Sequence, residues 1–135
     1  MIHKAAAVAA VVLLAALGGF QAALAAGLPA AQYAWGGQFS GTLPVFYRWA
    51  SLAAVPMLAL AGWVILARAD MVRPGSRARP IRIGAWAITA FLALSAIGNL
   101  MSASALERLV MTPVALMLLA CCAAVAASQQ RAGSS

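Results

Sequence analysis

Long apolar stretches alternate with short polar segments along the whole chain, and this pattern predicts its architecture. The stretches cover residues 4–27, 49–67, 83–101 and 106–128. Each is long enough to cross a hydrocarbon core of about 30 Å at about 1.5 Å per helical residue. Because an unpaired backbone group in lipid costs several kcal/mol, each stretch is expected to be a helix packed against others. The pattern predicts an all-α membrane protein, a four-transmembrane-helix bundle that forms one domain over residues 1–135.

The first stretch has a second interpretation. Residues 1–4 are followed by an apolar run and by Ala23-Leu24-Ala25, which is the pattern of a cleavable secretory signal peptide. The run is longer than the usual apolar region of a signal peptide, and three more spans follow it. We therefore expect it to be retained as the first helix; cleavage would leave three spans and a mature N-terminus outside the cell.

The composition supports a membrane location. Hydrophobic residues make up 65% of the chain and charged residues 8%, with a mean hydropathy of +0.96, whereas soluble domains contain about 25% charged residues. These values exclude a water-soluble globule. Nine basic residues against two acidic ones give a net charge of +7, a balance that in a soluble protein would suggest a nucleic-acid partner.

The distribution of the basic residues favours a topological role instead. Five arginines lie in a loop over residues 68–82, on the same side of a four-span arrangement as Lys4 and Arg131, and only Arg48 and Arg108 lie on the other side. By the positive-inside rule, both termini are expected in the cytoplasm, so that residues 28–48 form an outer loop. No aromatic residue stands among the loop arginines to stack on a base, so we expect the bilayer, and no nucleic acid, as the partner.

The outer loop is rich in aromatic residues and glycine, which are unusual in a flexible solvated linker. We expect it to be an ordered lid on the outer ends of the helices. Trp35-Gly36-Gly37 has the composition of a turn in which glycine supplies a positive φ or a close backbone approach.

Polar residues at similar depth are expected to converge beneath this loop. The candidate cluster comprises Gln21, Tyr33, Trp35, Arg48, Ser95, Asn99, Ser102, Glu107 and Arg108. Ser95, Asn99 and Ser102 follow i, i+4, i+7 spacing, which places them on one helical face. Ser104 and Glu107 match a capping box at the start of the fourth helix.

Arg48 and Arg108 stand at helix N-termini, where a cation is unfavourable by about 0.3–1 kcal/mol. Four partners could offset this cost: Glu107 paired with Arg48, loop carbonyls, lipid phosphates or a bound anion. The cluster then has three interpretations. It can provide interhelical hydrogen bonds of about 0.6 kcal/mol each, a small-molecule or lipid-headgroup site beneath the loop, or a transport pathway.

Residues that carry catalytic chemistry are scarce. The chain has one histidine, His3, and two acidic residues, Asp70 and Glu107, without metal-ligand spacing. Cys121 and Cys122 are adjacent and do not form the Cys-x-x-Cys motif of a redox site, so we interpret them as small packing residues. The sequence therefore predicts no enzyme activity, no catalytic residue, no metal and no cofactor.

Small residues are expected where helices approach closely, as is usual in membrane bundles. The candidates are Ala6, Ala10, Gly18, Ala22, Gly62, Gly84 and Gly98. A second copy of the chain or another membrane protein is left open as a further partner for such faces.

Three motifs resemble those of a family of small four-span bacterial integral membrane proteins of unassigned function. They are Ala-Trp-Gly-Gly at 34–37, Gly-Thr-Leu-Pro at 41–44 and Ser104-x-x-Glu107-Arg108. The resemblance implies four spans and residence in the bacterial plasma (inner) membrane, and it implies no substrate. The sequence as a whole favours a non-enzymatic accessory or structural membrane protein; the alternative is a binder or carrier of a small anionic or lipidic ligand at the outer face.

Overall fold

The computed structural model describes residues 1–72 and 78–128, and within these ranges the chain is all-α. Its long helices are α1 (Ile2–Ala26), α2 (Val45–Arg68), α3 (Arg79–Leu100) and α4 (Ala105–Ala127). They contain 22 to 25 residues each and are long and apolar enough to cross a membrane. The prediction of an all-α bundle with four helices that are long and apolar enough to span a membrane is confirmed.

Two of the helices, α2 and α3, begin four residues earlier than the apolar stretches indicate, at Val45 and Arg79 against residues 49 and 83. Helix α2 begins at Val45, where the carbonyl of Pro44 accepts the first helical hydrogen bond from Arg48 N at 3.0 Å. Helix α3 begins at Arg79, with Pro80 in its first turn, where the missing N–H of proline is not needed. Part of the predicted basic loop, residues 73–77, lies outside the described residues, as does Arg131.

Helix α1 packs along α2 and α4, and α3 packs along α4, while the α2–α3 contact is smaller. The core between them is built largely from small side chains. Its fully or almost fully buried members include Ala7, Ala10, Leu14, Ile65, Ala85, Leu118, Cys122, Val125 and Ala126. Cys122 is thus a packing residue, and Cys121 packs against the same cluster.

Two glycines mark close helix approaches. A β-carbon added at Gly62 would lie 3.8 Å from a methyl group of Val11 on α1, and one at Gly84 would lie 3.1 Å from a methyl group of Val64 on α2. At Gly18 and Gly98 a β-carbon would meet no atom within 4 Å. The expectation of close contacts at those two positions is therefore wrong, because small residues on these helices also occur on faces that no neighbouring helix covers.

The bundle has two ends, which we name by their chain segments. The loop end carries the α1–α2 loop (residues 27–44) and the α3–α4 turn (residues 101–104). The terminal end carries Met1, the end of α2 and Ser128. The predicted polar cluster lies toward the loop end.

Candidate functional site

The α1–α2 loop is packed against the helix ends. It contains two short 3₁₀ turns, Ala31–Tyr33 and Trp35–Gly37. Its interior is a second apolar cluster, separate from the bundle core, whose buried members are Leu24, Ala31, Ala34 and Leu43. The Tyr47 ring lies 4.7 Å from that of Phe39 and 5.4 Å from that of Trp35, measured between ring centroids. The loop is therefore a folded element with its own core.

The Trp35–Gly37 turn joins this loop to the α3–α4 turn. All three of its residues have positive φ, at 55° for Trp35, 77° for Gly36 and 67° for Gly37. The carbonyl of Gly36 accepts a hydrogen bond from Ala103 N at 3.1 Å. A β-carbon at Gly37 would lie 2.6 Å from Ser104 N and closer still to Ser104 Cβ. Only glycine fits this position, because both the backbone conformation and the space exclude a side chain.

Trp35 also reaches helix α2. Its indole Nε1–H donates a hydrogen bond to the hydroxyl of Ser51 at 3.1 Å, and Ser51 has no exposed surface. Ser51 could not be identified from the sequence, since a serine about one and a half turns into an apolar helix has many possible roles. The bond fixes the loop to α2 as well as to the α3–α4 turn.

Helix α4 begins with a hydrogen-bond network around Glu107. Ser104 is the N-cap residue, and its hydroxyl accepts from Glu107 N at 3.3 Å, as the capping-box motif predicts. The carboxylate of Glu107 accepts from the hydroxyl of Ser102 at 2.5 Å, and that hydroxyl oxygen accepts from Ser104 N at 3.1 Å. In a capping box the glutamate accepts directly from the N-cap N–H. Here the Ser102 hydroxyl lies between the two groups and bonds to both. Glu107 and Ser102 are each only 4% exposed.

The two arginines at the loop end each donate a hydrogen bond to a backbone carbonyl, one in the last turn of α1 and one in the α3–α4 turn. Arg48 Nε donates to Ala25 O at 2.9 Å, in the last turn of α1. Arg108 Nη1 donates to Ser102 O at 2.5 Å, just beyond the end of α3. Both partners are carbonyls, but they lie in α1 and in the α3–α4 turn and not in the outer loop, where the sequence-based expectation placed them. Glu107 meets Ser102 rather than Arg48.

The remaining predicted residues lie apart from this network. Asn99 Nδ2 donates to Met111 O at 3.2 Å and links α3 to α4. Ser95 and Tyr33 are half-buried, on α3 and in the first 3₁₀ turn. Gln21 Oε1 is buried, and within the described ranges it has no hydrogen-bond partner. The structure thus groups Trp35, Ser102, Glu107 and Arg108 around the α3–α4 turn; Ser102 is in the turn because α3 ends at Leu100, and the predicted helical face does not extend to it.

A third arginine has a similar role at the terminal end. Arg68 is 6% exposed, and its Nη2 donates to Ala126 O at 3.2 Å and to Ser128 O at 2.5 Å. From the sequence, Arg68 is expected only to contribute to the topology as one of the five loop arginines. Arg68 lies in the last turn of α2, where the helix dipole stabilises a cation. This position is the sequence feature that indicates a structural role.

Arg48 also lines an open groove at the loop end. The groove has a volume of about 250 Å³ and is bounded by Ala25, Val45, Arg48, Trp49 and Leu52. Three of these side chains are largely exposed apolar groups, Val45 at 67%, Trp49 at 66% and Leu52 at 47%. The groove lies on the outside of the α1–α2 pair, away from the Glu107 network.

The geometry defines a class of protein. The chain is a small multi-pass membrane protein with four candidate spans, and in the described ranges no three His, Cys, Asp or Glu side chains form a group that could hold a metal ion. Comparisons with protein-family models, with curated proteins and with solved structures gave no match.

Proposed function

We propose that this protein is a non-enzymatic accessory or structural component of the bacterial plasma membrane. The observation that carries the proposal is the use of the charged groups at the loop end. Arg48 binds Ala25 O, Arg108 binds Ser102 O, and Glu107 binds the Ser102 hydroxyl. Each of these groups closes a helix end or a turn of the chain itself.

A physical argument supports this use of the charges. The last carbonyls of a helix have no partner within the helix, and an unpaired carbonyl near lipid is costly. At the end of α1, Gly27 N donates to Leu24 O and Leu28 N donates to Ala23 O, which leaves Ala25 O for Arg48. A hydrogen bond from a charged donor is worth about 1.5–3 kcal/mol. The arginines therefore stabilise the fold.

We propose that both termini face the cytoplasm and that the loop end faces outside. The distribution of basic residues supports this orientation, with five arginines in residues 68–82. The scarcity of histidine and acidic residues supports a role without catalysis. The bilayer is the proposed partner, and the exposed apolar helix faces leave room for a second copy or another membrane protein.

The alternative function is a binder or carrier of a small anionic or lipidic ligand beneath the loop. There Arg48 and Arg108 would hold the anion, Glu107 would position an arginine, and Tyr33 and Trp35 would form walls. Against it, the two guanidinium groups are directed to different parts of the chain, the last turn of α1 and the α3–α4 turn.

Substitution of the two arginines distinguishes these functions. We expect Arg48→Ala and Arg108→Ala each to lower the unfolding temperature of the purified, detergent-solubilised protein, measured by circular dichroism. The control is Arg82→Ala, which removes the same charge at an exposed position of α3. If the two variants unfold at the temperature of the control and lose only stabilisation by added anions, the ligand-binding alternative holds and the structural proposal is wrong.

A further inference from the structure

The groove beside Arg48 combines a cation with an apolar surface. Its floor and walls are Ala25, Val45, Arg48, Trp49 and Leu52. Arg48 is half-buried and stands one turn inside α2, while Leu52 lies one turn deeper, about 6 Å further along the helix axis. From Arg48 to Leu52 the groove therefore changes from charged to apolar, which is the direction in which a lipid changes from headgroup to acyl chain.

The guanidinium group of Arg48 has donors to spare. Its Nε is bonded to Ala25 O. Within residues 1–72 and 78–128, its Nη1 and Nη2 groups donate no hydrogen bond to another residue. A guanidinium group presents its N–H donors in a planar fork that matches phosphate oxygens. Arg48 can thus cap α1 and bind a phosphate at the same time.

The surroundings of the groove are those of a membrane interface. Trp49 is 66% exposed and the neighbouring Phe46 is 75% exposed. Exposed aromatic rings near the end of a spanning helix are typical of the headgroup level of a bilayer. When α2 crosses a membrane, lipid is the molecule in contact with this face, and Arg48 is the charged group among the residues that line the groove.

We propose that this groove binds an anionic phospholipid, with the phosphate on Arg48 and an acyl chain along Trp49 and Leu52. The proposal depends on the spanning placement of the helices and is independent of the accessory role, because a lipid on the outside of the α1–α2 pair leaves the Glu107 network unchanged.

Thermal stabilisation by added lipid tests the proposal. The delipidated protein in detergent is titrated with phosphatidylglycerol, with phosphatidylcholine of the same acyl chains and with inorganic phosphate, and the unfolding temperature is followed. We expect phosphatidylglycerol to stabilise the protein at about a fivefold lower concentration than phosphatidylcholine. One basic residue near a membrane surface increases the affinity for anionic lipid by about this factor. Arg48→Gln should abolish this preference, and Arg108→Gln, which removes a charge outside the groove, should retain it.

The variant Val45→Phe fills part of the groove and keeps the charge of Arg48, so it should weaken stabilisation by phosphatidylglycerol. Because Val45 is exposed, this variant should fold even where Arg48→Gln does not. A preference that survives Arg48→Gln, is lost equally in Arg108→Gln, or is unaffected by Val45→Phe would overturn the proposal. Stabilisation by inorganic phosphate at matched concentration would instead identify a free-anion site and refute the lipid assignment. The unfolding temperature without lipid tests the accessory role, and the lipid-dependent shift tests this site, so the two failures are distinct.

Discussion

Substitution of Gly37 by alanine tests whether the loop is held on the α3–α4 turn. At this position φ is +67°, and an added β-carbon would lie 2.6 Å from Ser104 N and 2.9 Å from Ser102 Oγ. Carbon atoms do not approach backbone and side-chain atoms this closely. Either Ser104 or the loop must therefore move.

The expected loss has two parts. Alanine in the left-handed region costs about 1–2 kcal/mol relative to glycine. The displacement adds about 1 kcal/mol through loss of the Ser104 cap, or a similar amount through loss of the hydrogen bond from Ala103 N to Gly36 O. We expect Gly37→Ala to lower the free energy of unfolding by about 2–3 kcal/mol in total.

Two matched controls separate these parts. Gly36 and Gly41 have φ of +77° and +74°, and a β-carbon at either would meet no atom within 4 Å. Gly36→Ala and Gly41→Ala should therefore show only the backbone cost. The assay is equilibrium unfolding of the detergent-solubilised protein, monitored by tryptophan fluorescence because Trp35 belongs to the same turn. Equal losses in all three variants would show that Gly37 does not contact Ser104, and the docking of the loop described above would be refuted.

Three further predictions concern other parts of the bundle. Ser104→Ala removes the N-cap of α4 and should lower the free energy of unfolding by about 1 kcal/mol in the same assay; no change would mean that the cap is not formed. Gly84→Leu should destabilise, since its β-carbon already lies 3.1 Å from Val64, whereas Gly62→Ala has ordinary contacts and should be tolerated; the reverse order would contradict the packing. Ser40→Cys, with both native cysteines replaced, should react with an impermeant thiol reagent in intact cells, and protection until lysis would reverse the proposed orientation.

The four spans could be predicted from sequence because the free energy of apolar burial depends on length and composition, which are local. The starts of α2 and α3 could not. Residues 45–48 have aromatic and charged side chains that resemble loop, yet Pro44 ends the loop and supplies the first carbonyl of the helix. At the start of α3, Arg79 is charged and Pro80 would break the interior of a helix, so the sequence suggests a loop there. Both residues are nevertheless compatible with the first turn of a helix.

The residues of the site were more predictable than their partners. The spacing of Ser104 and Glu107 predicts the start of a helix, and Ser104 is indeed the N-cap residue of α4. By contrast, Arg48 binds the carbonyl of Ala25, and every residue has a carbonyl, so the sequence contains no sign of that partner. The same holds for Ser51, whose importance follows from the indole that reaches it.

The arginines show how an antiparallel bundle reverses a local electrostatic rule. Considered on its own helix, Arg48 is unfavourable, since it stands at the positive end of the α2 dipole. In the bundle that end lies beside the C-terminal end of α1, which is negative and has a carbonyl to offer, so the side chain stabilises the neighbour. Arg108 binds the carbonyl of Ser102 in the α3–α4 turn, just beyond the end of α3, and Arg68, in the last turn of α2, binds two carbonyls at the end of α4. A basic residue at a span boundary can thus hold two helices together in addition to any role in orientation, and its removal should be tested by stability as well as by topology.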